Sequence, residues 1–190
     1  MMRAVRYTCL IFAVALLGSF CYSFFEREIY QTYDGWKFDH RPAPVEDPVV
    51  ANHAKKTSAP AEGAIGRISI PRLHLSAMVR EGVDDVTLQR AVGHVPASPL
   101  PGQRGNVALA GHRDTFFRGL KDLNPKDEID FSTYHGDVQY RVESMMIVEP
   151  RNTSVLAADS GNTLTIVTCY PFEYIGNAPK RFVVRAKQIQ

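Results

Sequence analysis

Cys169, His112 and Arg181 are the residues in this 190-residue chain whose types and settings could break an amide bond. Cys169 closes the apolar run Thr163-Leu164-Thr165-Ile166-Val167-Thr168 and is followed by Tyr170-Pro171. Proline cannot continue a central strand, so the cysteine stands where a strand leaves into a loop. His112 follows Gly111 at the end of a second apolar run, Asn106 to Ala110. Arg181 begins a third, Arg181-Phe182-Val183-Val184-Arg185-Ala186, after a loop containing Gly176-Asn177 and Pro179. A thiolate can attack a carbonyl and form a thioester. An imidazole can protonate the leaving amine and deprotonate the next one. A guanidinium can offset the charge of the tetrahedral oxyanion, together with the Tyr170 backbone N–H.

Each residue has a plainer reading. A strand-end cysteine packs as a small hydrophobe, a strand-end histidine is commonly structural or solvated, and an arginine on a strand face is commonly just solvated. Lys180 and Arg185 compete with Arg181 for the cationic role. The cation matters because roughly 3% of an ordinary thiol is ionised at pH 7 and about a quarter of an ordinary imidazole is protonated. The productive thiolate–imidazolium pair would then be under about 1% of molecules without a shift from a nearby charge.

These residues need strands to hold them. Ile65, Ile68 and Ile70, then Leu73 and Leu75, give two short apolar-rich strands flanking Pro71. Asn106–Ala110, Glu128–Phe131, Val138–Val142, Thr163–Cys169 and Arg181–Ala186 supply others by period-two alternation or apolar runs. Helical signal is sparse: Val86 to Val92, capped by Asp84 or Asp85, and a short turn after His112 that buries Phe116, Phe117 and Leu120. Seven or eight short strands in about 125 residues predict an all-β domain, either a sandwich or a closed barrel.

The rest of the chain positions that domain. Tyr7 to Phe25 is a run of 19 residues without a charge, long enough to cross a hydrocarbon core of about 30 Å as one helix. Arg3 and Arg6 precede it, which places the short N-terminus in the cytoplasm and the remainder outside. Residues 26–62, with Pro42, Pro44, Pro48 and Pro60, read as a linker that would span roughly 30–35 Å as a coil. Tyr30, Tyr33, Trp36 and Phe38 within it suit either the membrane interface or a short extra helix. The expected organisation is therefore a cytoplasmic 1–6, an anchor 7–25, a linker 26–62 and a catalytic domain 63–190. Cys9 and Cys21 fall inside the anchor, leaving Cys169 as the exterior thiol, without an intramolecular disulfide partner. The charges, 22 basic and 20 acidic for a net +2, give no reason to expect a nucleic-acid partner. The acidic residues Asp127, Glu128 and Asp130 do not form a calcium loop, so no metal or other cofactor is expected.

Asn106-Val107-Ala108-Leu109-Ala110-Gly111-His112-Arg113-Asp114-Thr115-Phe116-Phe117, with Thr163 to Cys169 and Arg181-Phe182-Val183-Val184, resembles the sortase signature, nearest the class D type. The likeness runs over roughly residues 64–187, beginning with Ile65-Gly66-Arg67-Ile68-Ser69-Ile70-Pro71. It implies an eight-stranded β-barrel with short helices and a groove at one end. It also implies a membrane-anchored cysteine transpeptidase that cuts a Leu-Pro-x-Thr-Gly-like signal after threonine, with His112, Cys169 and Arg181 as catalytic residues. The implied partners are secreted proteins carrying that signal at their C-terminus and an amine acceptor, either a cell-wall precursor or a lysine side chain. Thr168 matches a position that helps hold substrate, Tyr170 beside the nucleophile is expected to touch substrate too, and His94 either lines the groove or packs. Asp114 could orient His112, though capping a turn is the commoner role. Two alternatives share these residues: a cysteine endopeptidase using water, and an inactive scaffold that binds a peptide.

Overall fold

The computed structural model describes residues 2–40, 63–158 and 161–190. Eight strands form a closed barrel: β1 (Ala64–Ile70), β2 (Leu75–Glu81), β3 (Val92–His94), β4 (Gly105–Gly111), β5 (Glu128–Thr133), β6 (Gly136–Val148), β7 (Asn162–Tyr170) and β8 (Lys180–Gln188). Their order around the barrel is β1-β2-β3-β4-β7-β8-β6-β5. The choice between sandwich and barrel is settled by β1 pairing with β5, with Gly66 opposite Thr133 and Ile68 opposite Phe131. Gly66 permits that closure, because a Cβ there would lie 2.4 Å from the Ser132 carbonyl oxygen.

Inward-facing Ile68, Ile70, Val79, Val107, Leu109, Phe131, Leu164, Ile166 and Val184 fill the barrel and are fully buried. Each such side chain contributes on the order of 1.5–3 kcal/mol relative to exposure. Two elements depart from the sequence-based expectation. The three-residue β3 is too short to leave a periodic signal. β6 runs on to Val148, past a register shift between Val142 and Ser144 that changes which face its residues present.

The expected helix appears as α2 (Asp85–Arg90), and Asp84 is its cap, accepting from the Thr87 N–H at 3.0 Å. That bond and the Thr87 hydroxyl hold the Asp84 carboxyl below the usual carboxylate range. The turn after His112 also forms, with the Phe117 N–H donating to the His112 carbonyl and a 3-10 turn over Arg118–Asp122. Phe117 and Leu120 are buried, while Phe116 is half-buried.

The largest difference lies before the barrel. A single helix, α1 (Met2–Asp39), runs through the apolar segment and on into the expected linker. By length and composition it could cross a membrane. Residues 26–39 are thus helix rather than coil, and the aromatic cluster lies on a continuation of the apolar helix rather than on a short separate one. The remainder of the expected linker, 41–62, lies outside the described residues.

Candidate active site

The site is built by register. In the antiparallel β7–β8 pair Cys169 lies directly opposite Arg181, while Thr165 lies opposite Arg185 and Tyr170 opposite Lys180. Register therefore separates the three basic candidates. Arg185 sits four residues down the strand, about 13 Å away at 3.3 Å per residue, and Lys180 is on the other face from Cys169. In the parallel β4–β7 pair the last matched residues are Gly111 and Thr168. His112 continues β4 at the level of Cys169. The three residues thus stand side by side on adjacent strands, at spacings of about 5 Å between neighbouring backbones.

They also share a face. Leu164, Ile166, Val184 and Ala186 point into the core, so Cys169 and Arg181, of opposite phase, point outward. Lower on the same outer face of β7, Thr163 and Thr165 are covered. Their hydroxyls donate to Asn106 Oδ1, at 3.3 and 2.7 Å, and the Asn106 amide donates to the Val155 and Ala157 carbonyls. This network fastens the segment after β6 over the lower strands. The face opens at Val167 and Cys169, which are partly exposed.

Other side chains hold the strand ends. Phe117 packs its ring over Gly111, where a Cβ would come within 2.6 Å of it. Arg181 donates to the Ala178 and Lys180 carbonyls at 3.2 and 3.0 Å, which keeps its guanidinium at the entrance of the β7–β8 loop. Arg113 was not singled out from sequence. It is buried and donates from one nitrogen to the Tyr174 and Gly176 carbonyls, at 2.6 and 3.0 Å. Arg113 thereby ties the loop carrying His112 to the loop leaving Cys169. Its only sequence signal was adjacency to His112.

The residues expected to touch substrate are placed variously. Thr168 is buried at 2% exposure, and its hydroxyl donates to the Gly111 carbonyl at 2.7 Å. His94 is buried at 1%, with Nδ1 2.8 Å from Glu81 and Nε2 2.9 Å from the Pro99 carbonyl. The polar atoms of both therefore face partners inside the protein, and His94 follows the packing alternative. Tyr170 is half-buried in an aromatic cluster with Phe172 and Phe182, at ring separations of 6.0 and 6.3 Å. Asp114 is exposed. Two adjoining clefts, of about 490 and 380 Å³, lie between α1 and the loop after β4. Both are bounded by Arg27, Asp114 and Thr115, and the smaller also by His112. Neither reaches Cys169, so they extend the site on its histidine side.

The family model described as the sortase domain matches residues 68–189. Sortase D of Bacillus subtilis is 35% identical over 127 residues, covering 66% of this chain and 64% of the relative. Sortase SrtE1 of Streptomyces coelicolor is 30% identical over 123 residues, covering 55% of this chain and 35% of the relative. The chain thus spans less than two thirds of either curated relative. Among solved structures, the Sortase D5 transpeptidase of Clostridium perfringens aligns with a TM-score of 0.69 at 25% identity, over 86% of this chain and 98% of that one.

Proposed function

The chain belongs to the sortase family, and from that premise we propose that it is a membrane-anchored cysteine transpeptidase acting on a Leu-Pro-x-Thr-Gly-like sorting signal. The observation that carries this reading is the side-by-side placement of His112, Cys169 and Arg181 on the outer face of β4, β7 and β8. The Cys169 thiolate attacks the threonine carbonyl carbon, and the oxyanion that forms is met by Arg181 and a backbone N–H at Tyr170. As the peptide C–N bond breaks, the imidazolium of His112 gives its proton to the departing amine, leaving a thioester on Cys169. An incoming amine then attacks the thioester. His112 takes the amine's proton, a new amide forms, and the thiolate is released.

Thr168, Arg113 and His94 act through position in this scheme, holding strand ends and loops. The anchor is the run 7–25 of α1, whose Ile11, Phe12 and Phe20 are each 69% exposed. Such a continuous apolar surface is what lipid would cover. The N-terminus then lies in the cytoplasm, and the barrel acts at the cell surface on secreted proteins carrying the signal. The acceptor is an amine of a cell-wall precursor or a lysine side chain.

The test is product analysis with the full chain in detergent, using a mixture of Leu-Pro-x-Thr-x peptides with and without a primary amine, beside Cys169→Ala. Cleavage after threonine with joining to the amine, absent in the variant, is expected. Cleavage to the free acid whatever amine is added would favour the hydrolytic alternative. Peptide binding without cleavage, equal in Cys169→Ala, would favour the scaffold.

A further inference from the structure

The second half of α1 is not tethered loosely to the barrel but clamped to it. Gln31 is the central fastening. Its Oε1 accepts from the Met78 N–H at 2.8 Å, and its Nε2 donates to the Arg90 carbonyl at 2.7 Å. β3 begins to pair with β2 only at Val79, so this amide supplies the partner that a neighbouring strand would have given Met78. Around it, Glu26 pairs with Arg90 at 2.7 Å, and Asp39 with Arg67 at 3.0 Å. Asp34 lies 3.6 Å from Arg80, and the Arg90 guanidinium covers the Tyr30 ring at 4.3 Å. Between Gly18 and Gly35 the helix contains neither glycine nor proline, the residues at which helices usually kink. No hinge separates the apolar run from the clamped segment.

That continuity fixes a height. The residues of α1 that border the clefts at His112 and Phe116 are Glu26, Arg27, Glu28 and Gln31, the first turns after Phe25. At 1.5 Å per residue they lie about 2–9 Å along the axis beyond the apolar run. The headgroup layer is itself roughly 5–8 Å deep on each side of a bilayer. Tilting the helix lowers the height rather than raising it. Arg27, Arg90 and Arg118 border the same clefts beside Glu26, Glu28 and Asp114, a charged and polar lining that belongs at headgroup level rather than in hydrocarbon.

We propose that α1 is a rigid strut that presents the His112 side of the catalytic cleft to the lipid headgroup layer, so that the reaction takes place at the membrane surface. This rests on the reading of residues 7–25 as a membrane span. It replaces a barrel free to move on a coil by one held at a single height. The surface engaged is the headgroup layer of the bilayer, and both the signal and the acceptor must be brought to that level.

The full chain, with Cys9→Ser and Cys21→Ser, is to be reconstituted in phosphatidylcholine–phosphatidylglycerol vesicles with a fluorophore on Cys169. Headgroup-linked nitroxide lipid is the quencher. Two strut variants accompany it: Gln31→Ala with Asp34→Ala, and a six-residue Gly/Ser insertion after Phe25, which adds up to about 20 Å of reach. Strong quenching in the parent, reduced several-fold in both variants, is expected. Equal quenching in all three, or an unquenched parent that still floats with vesicles, would overturn the strut. A chain that does not float removes the span reading and the strut with it. Acylation of a soluble signal peptide in detergent, measured on unlabelled chains, should not differ between the parent and the insertion variant, which keeps every residue that borders the clefts. Its absence in the parent would strike the transpeptidase reading and leave the quenching result standing.

Discussion

The ends of β4, β7 and β8 and the clamped half of α1 flank the loop that carries His112, yet they are held in place by different means. At the strand ends, position comes from the backbone. Cys169 is opposite Arg181 because a ladder of eight matched residues from Thr163 to Tyr170 admits one register, and a slip of one residue would turn Cys169 into the core. Buried Ile166, Val184 and Phe117 reinforce it. The helix has no ladder to the barrel. Its placement rests on side-chain contacts: the Gln31 amide, the rings of Tyr30 and Phe38 against Arg90, Arg67 and Tyr134, and a few ion pairs, of which Arg90–Glu26 is 31% exposed on both sides and Asp39 is 50% exposed. Pairs of that kind are individually weak. Chemistry that needs side chains placed to a fraction of an ångström is therefore put on the sheet. The orientation of the whole domain, which tolerates more error, is left to side chains.

Substitutions can break or sharpen this contrast. The largest effect is expected at the proposed nucleophile: Cys169→Ala should abolish transfer and leave the thermal midpoint nearly unchanged, which product analysis and melting together check. Arg181→Gln should lower kcat/KM by about 10²–10³, the cost of losing one oxyanion-stabilising group. Arg185→Gln, four residues down the same strand, should stay close to the parent. Equal losses at both positions would mean that register does not select the cation.

Gly111→Ala aims at the scaffold under His112. The added methyl would sit 2.6 Å from the Phe117 ring, so a destabilisation of about 1–3 kcal/mol is expected in denaturant unfolding, together with lower activity. Gln31→Ala should act on the other region alone. Hydrogen-exchange protection should fall in residues 26–39 and remain in β4, β7 and β8.

The smallest effect is a pH dependence. Arg72 holds the Asp127 carboxyl below the usual carboxylate range through a two-pronged contact. A depressed value means that the pair stabilises the protein above the ordinary carboxylate pKa and loses that contribution as pH falls through the lowered one. The stability gap between the parent and Arg72→Ala should accordingly close on acidification, as seen in melts at neutral and strongly acidic pH.

The two regions also differ in how much of them could be read from sequence. The strand ends were legible because Cys169, His112 and Arg181 are chemically distinctive and border apolar runs, and because proline and glycine mark where those runs stop. Pairing partners were not, so Arg181 could not be separated from Lys180 and Arg185 until the β7–β8 register was known. Thr168 and His94 carried no sign of which way their polar atoms would turn. The clamped half of α1 was the harder case. Its barrel-facing positions include Arg27, Gln31 and Asp34, so no apolar stripe of helical period marks it. The prolines from Pro42 onward favour coil for the segment as a whole. What holds that helix are partners distant in sequence, Met78, Arg80 and Arg90, and local pattern does not contain them.

The central claim is that Cys169, placed opposite Arg181 and beside His112, forms a thioester with a sorting signal. Its most direct test is intact-mass measurement of the chain after exposure to a Leu-Pro-x-Thr-x peptide without added amine, followed by peptide mapping. The account predicts an added mass equal to the peptide's acyl part through threonine, located on Cys169 and discharged as a new amide when a primary amine is supplied. An unmodified chain across the peptide mixture, or an adduct that persists in Cys169→Ala, would contradict it.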